Sequence, residues 1–74
     1  MPGGLIKRSF SLAGHRTSVA LEPEFWAALE SMARAQKTSL RELVAAVDAA
    51  RDPGTPLASS LRVHALDAAR RHFT

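Results

Sequence analysis

Between residues 15 and 21 the chain alternates. Thr17, Val19 and Leu21 are β-branched or apolar, and the intervening Arg16, Ser18 and Ala20 are basic or small. A period of two predicts a half-buried strand from His15 to Leu21, with the first set facing a core and the second facing out. Glu22-Pro23 stops it, because proline has no N–H to donate to a ladder. From Pro23 the period changes. Phe25, Leu29 and Met32 recur at helical spacing with Trp26 and Ala33 beside them, while Glu30, Arg34 and Gln36 fall on the wetter side. This predicts a helix from Pro23 to Gln36, with proline in its first turn and Glu24 near the positive end of its dipole.

Lys37-Thr38 connects to Ser39-Leu40-Arg41-Glu42, a capping box in which hydroxyl and carboxylate satisfy reciprocal backbone N–H groups. A second helix follows from Leu40 to Ala50, lined on one face by Leu40, Leu43, Val44 and Val47. Asp52-Pro53-Gly54 turns the chain. Thr55-Pro56 caps and opens a third helix running to His72, with Leu57, Leu61 and Ala65 as its stripe and Val63 and Leu66 alongside. Upstream, Leu5 to Leu12 fits either a short extra strand or a basic arm, and Ala13-Gly14 separates it from the strand at His15. The chain divides into an arm or extra strand (1–14), a core (15–50), and a turn with a third helix (51–74). No internal repeat or low-complexity segment stands out.

The fold class is therefore mainly α with one strand. A lone seven-residue strand cannot make a stable sheet, and the simplest partner is the same strand of a second copy. A chain of 74 residues has a thin core, which also favours association. There is no cysteine, which suits a reducing cytoplasm and removes disulfides and thiolate zinc sites as supports. No apolar run approaches the ~20 residues of a membrane helix. The three histidines, His15, His64 and His72, lack the spacing of a ligand pair, and no glycine-rich phosphate loop or supported nucleophile is present. No metal, cofactor or enzymatic activity is expected.

Charge sharpens the picture. The net charge is +3, and residues 1–21 alone carry it, with Lys7, Arg8 and Arg16 and no acid. The remaining seven basic residues are balanced by seven acidic ones. A basic segment on a neutral body suits a polyanion.

Lys7-Arg8-Ser9, His15-Arg16-Thr17-Ser18-Val19, Leu21-Glu22-Pro23, Phe25-Trp26 and Ser39-Leu40-Arg41-Glu42-Leu43 together resemble a ribbon-helix-helix domain. The match is to its short bacterial branch with a Lys-Arg-Ser … His-Arg-Thr-Ser signature. The resemblance implies an intertwined homodimer whose strands pair into a two-stranded antiparallel ribbon, with an additional C-terminal helix. It implies double-stranded DNA as partner, with the ribbon in the major groove, as in the Arc and MetJ repressors. The base-contacting residues would be Arg16, Ser18 and Ala20. Ala20 stands where a polar reader is common, and alanine can meet a thymine methyl but donates no hydrogen bond. Lys7, Arg8, His15, Lys37, Thr38 and Ser39 would contact phosphates, the last three at the N-terminus of the second helix. Val19, Leu21, Phe25, Trp26, Leu29, Met32, Leu40, Leu43, Val44 and Val47 would form the dimer core. The expected function is a transcriptional regulator, a repressor or autoregulator. An alternative is a protein-interaction module, such as an antitoxin gripping its partner through the third helix.

Overall fold

The break at Ala13-Gly14 is a hairpin turn. In the computed structural model, which describes residues 4–72, strand β1 (Ile6–Leu12) doubles back into β2 (His15–Leu21). Ala13 and Gly14 both take positive φ, 51° and 82°, the sign pattern of the two-residue turn whose twist matches a hairpin. The strands pair antiparallel over their whole length, from Ile6 opposite Leu21 to Leu12 opposite His15. Residues 5–12 are thus strand rather than arm from Ile6 onward. The partner that β2 needs lies in its own chain.

Three helices follow: α1 (Pro23–Ala35), α2 (Leu40–Ala50) and α3 (Leu57–His72). Pro23 opens α1, while Glu22 at its N-cap accepts from the backbone N–H of Phe25 and Trp26 through its carbonyl. The helix closes on two reversed bonds, Lys37 N–H to Arg34 O at 3.1 Å and Thr38 N–H to Ala33 O at 2.9 Å. This is the Schellman arrangement, which asks for a left-handed residue and usually gets glycine. Here Lys37 fills it at φ 57°. The capping box expected at α2 is formed, with the Ser39 hydroxyl accepting from Glu42 N–H and Glu42 accepting from Ser39 N–H.

One face of the hairpin lies on the helices. Phe10, Leu12, Val19 and Leu21 point inward and join Trp26, Leu29 and Ala33 of α1, Leu43 and Val44 of α2, and Leu57, Leu61 and Ala65 of α3. Leu21, Leu29, Val44 and Leu61 have no exposed surface at all. The Trp26 indole N–H donates to the Ile6 carbonyl at 2.8 Å, so its one polar group is satisfied while its ring packs against Phe10. Arg62 of α3 reaches Glu22 at 3.0 Å and lies over the Phe25 ring, tying the last helix to the β2–α1 junction.

Of the residues assigned to an interface between copies, Val19, Leu21, Trp26, Leu29, Leu43 and Val44 are buried within the single chain. Phe25, Met32, Leu40 and Val47 pack at that core's margin. Phe10 and Leu12 of β1 and Leu57, Leu61 and Ala65 of α3 complete this core.

Candidate nucleic-acid interface

Because side chains alternate along a strand, the hairpin has a second face. It carries Lys7, Ser9 and Ser11 from β1 and Arg16, Ser18 and Ala20 from β2. All are exposed except Ala20, which is half-buried. The register places Lys7 opposite Ala20, Ser9 opposite Ser18 and Ser11 opposite Arg16. The Ser9 and Ser18 hydroxyls share a hydrogen bond of 2.8 Å at the centre. Arg16 donates from Nη1 to the Ser11 Oγ at 3.2 Å, which draws the guanidinium across the ribbon. This face has short hydroxyl side chains in the middle and a cation at each of two diagonal corners. It holds no acid and no large apolar group.

Sequence reasoning assigned only one strand to such a face. Ser9 and Ser11 were legible as alternating polar positions, and two alternating runs joined by a residue pair with glycine are a hairpin signal. Lys7, expected on phosphates, shares the outward face with Arg16. Arg8, grouped with it, does not. It points to the other side of β1, where Nη1 meets Glu30 Oε2 at 2.7 Å and the guanidinium lies 5.0 Å over the Trp26 ring. Its charge is already partnered, and its role is to pin β1 to α1. His15 is exposed beside the turn, at the end of β2.

The start of α2 is a busier place than expected. Thr38 Oγ1 donates to Glu42 Oε1 at 2.8 Å, and Ser39 N–H donates to the same oxygen at 2.9 Å. Ser39 Oγ accepts from Glu42 N–H. The anion at this helix end is therefore the protein's own carboxylate. The Ser39 backbone N–H, then the Thr38 and Ser39 hydroxyls, hold the Glu42 carboxyl below its usual value of 4.5. A lowered folded-state pKa means that this cap stabilises the fold above the unfolded value and fades as pH falls through the folded one. Lys37 stays exposed next to it, in its left-handed conformation.

Elsewhere, an open groove of about 520 Å³ runs between α2 and α3, lined by Leu43, Val47 and Val63 among polar groups. Val63 and Leu66 are the large apolar residues that α3 leaves exposed. Among the described residues no group of His, Cys, Asp or Glu could hold a metal, and no helix is long and apolar enough to cross a membrane.

Comparison with known proteins agrees with this geometry. A family model described as a ribbon-helix-helix domain matches residues 5–69, nearly the whole chain. A search of curated proteins and a search of solved structures each returned no match.

Proposed function

The chain belongs to the ribbon-helix-helix domain family, whose members are non-catalytic DNA-binding modules associated with transcriptional regulation, and we propose that it binds double-stranded DNA through the outward face of its β1–β2 hairpin. The observation that carries this reading is the composition of that face. A two-stranded ribbon fits the major groove, which is roughly 12 Å wide. Short serine side chains let the backbone approach the base edges. Arg16 presents two N–H groups to guanine O6 and N7, and Ala20 meets a thymine methyl. Lys7 joins them on this face, while His15, and Lys37 with Thr38 and Ser39 at the start of α2, supply phosphate contacts. Of these, Lys37 is the strongest phosphate candidate, because Glu42 already occupies the neighbouring N–H and hydroxyl groups. The protein then acts as a transcriptional repressor or autoregulator of the short bacterial branch of the family, in the compartment that holds the DNA. A homodimer is part of this reading, as the fold of the family implies a dimeric partner.

A salt series tests this reading, using a labelled duplex from the protein's own upstream region beside a scrambled one. Affinity should fall steeply with salt, since each neutralised phosphate contributes a log–log slope of about −0.9. The own-region duplex should bind more tightly, and Arg16→Ala should erase that preference. Affinity that is flat with salt, or absent at low salt, contradicts the proposal.

One observation favours a second reading, a module that grips another protein. Val63 and Leu66 lie exposed on α3. The rest of that helix's apolar stripe is spent on its own core, which leaves little surface for an antitoxin-type grip.

A further inference from the structure

Arg8 is a cation on the inner side of the hairpin, where a charge costs free energy unless it is paired. Its partners lie on one helix. Glu30 Oε2 accepts from Arg8 Nη1 at 2.7 Å, and the guanidinium lies 5.0 Å over the Trp26 ring. Trp26 also donates its indole N–H to the Ile6 carbonyl at 2.8 Å. Trp26 and Glu30 are four residues apart on α1 and so share a face. Ile6 and Arg8 are two apart on β1, with Lys7 between them pointing the opposite way. One face of α1 therefore grips the residues on both sides of Lys7 and leaves Lys7 itself exposed. The place of this grip matters. Arg16 stands near the turn, opposite Ser11, and is tied across the ribbon to the Ser11 hydroxyl. Lys7 stands at the other end of the hairpin, one pair from where β1 begins, opposite an alanine that offers it no bond. The ends of an element open more readily than its middle. The grip from α1 supplies at this end what the turn and Ser11 supply at the other.

We propose that Arg8 is a positioning residue for Lys7: through Glu30 and Trp26 it fixes the open end of β1, so that Lys7 meets DNA already in place. The inference rests on the DNA-binding reading above and adds a residue that serves that surface without touching DNA. Ordering a segment in advance spares the entropy that binding would otherwise cost. An ion pair this exposed couples weakly, so the gain is modest, up to roughly fivefold in affinity.

The test titrates the intact protein with a labelled duplex from its own upstream region. It compares wild type with Glu30→Ala, Arg8→Lys, Lys7→Ala and the double variant Lys7→Ala/Glu30→Ala. Melting curves first confirm that each variant is folded at the titration temperature. The sign of the effect is diagnostic. Glu30→Ala removes an acid and frees a cation, so charge alone would tighten binding to DNA. Loss of the grip should instead weaken it, by up to roughly fivefold. Arg8→Lys keeps the charge but loses the planar fork and its stacking, and should weaken binding by a similar factor. In the Lys7→Ala background, Glu30→Ala should no longer weaken binding, although it lowers the melting temperature as before. Backbone amide relaxation of the DNA-free protein should show Lys7 more mobile in Glu30→Ala, with Ser11 unchanged. The proposal is overturned if Glu30→Ala binds as tightly as wild type or more tightly, or if it weakens binding equally with and without Lys7. It is also overturned if Lys7 is as ordered without Glu30 as with it. Wild type that binds no duplex at low salt defeats the DNA-binding reading, and this role for Lys7 with it, before any variant is compared.

Discussion

The two faces of the hairpin share a backbone, a register and a length, and differ in everything else. Inward, Phe10, Leu12, Val19 and Leu21 are buried against three helices. Outward, Lys7, Ser9, Ser11, Arg16 and Ser18 meet solvent, and the serines and Arg16 bond across the ribbon to one another. Stability therefore lives on one face, and the other is free to be chosen for what it contacts. Arg8 shows the boundary between the two roles. It is a cation on the same strand as Lys7, yet its parity puts it on the inner side, where it spends its charge on Glu30. That pair is more than a third exposed on both sides, so it adds at most about 1 kcal/mol of stability and no DNA contact of its own.

The comparison breaks most visibly from the inside. Leu21→Ala removes a fully buried side chain and should cost about 2–5 kcal/mol in a denaturant titration, a large share of the stability of so small a domain. Its effect on the DNA sequence preferred by the folded fraction should be nil. Arg16→Ala is the mirror case. Surface changes of this kind move stability by no more than about 0.5 kcal/mol, while loss of a bidentate base contact costs about 1–3 kcal/mol of discrimination, seen as competition between matched and mismatched duplexes.

Lys37 sharpens the contrast within one residue. A non-glycine left-handed residue costs about 1–2 kcal/mol, so Lys37→Gly should raise the melting temperature by several degrees, at roughly 4–8 °C per kcal/mol. If Lys37 holds a phosphate, the same variant should weaken DNA binding and reduce the salt slope by about 1. A stabler protein with unchanged affinity would assign Lys37 to the helix end alone. The smallest effect belongs to the turn. Ala13 carries positive φ where Asn is favoured, and Ala13→Asn should gain up to about 1 kcal/mol without changing the sequence that is read.

Much of this architecture was legible because its signals are local. The β2 alternation, the Pro23 start and the Ser39/Glu42 box each lie within a few residues and appear where expected, whereas α3 begins one residue later than the Thr55-Pro56 pair suggests, at Leu57, with the Pro56 carbonyl accepting from Ser60 N–H. Two things were not legible, for physical reasons. The strand character of β1 is masked by Arg8, a charged residue at an inward position. Only Trp26 and Glu30, distant in sequence, explain it. The turn is masked too, since Ala13 is not a residue that advertises positive φ. The destination of the apolar faces was the second gap. Periodicity shows that Leu43 and Val44 must be covered, but it cannot say whether a second copy or α3 covers them. Within the chain they share one core with Leu57 and Leu61 of α3. At the site, Arg16, Ser18 and Ala20 follow from β2 alone, whereas Ser9, Ser11 and the outward place of Lys7 needed the register.

The most direct test of the central claim, that the outward hairpin face is the DNA surface, is an amide and side-chain NMR titration of the intact protein with a short duplex from its upstream region. The largest perturbations should fall on Lys7, Ser9, Ser11, Arg16, Ser18 and Ala20, with smaller ones at His15 and Lys37. The inward Phe10 and Val19 side chains should hold still. Perturbations gathered instead along the α2–α3 groove, at Val47 and Val63, with the hairpin silent, would contradict it.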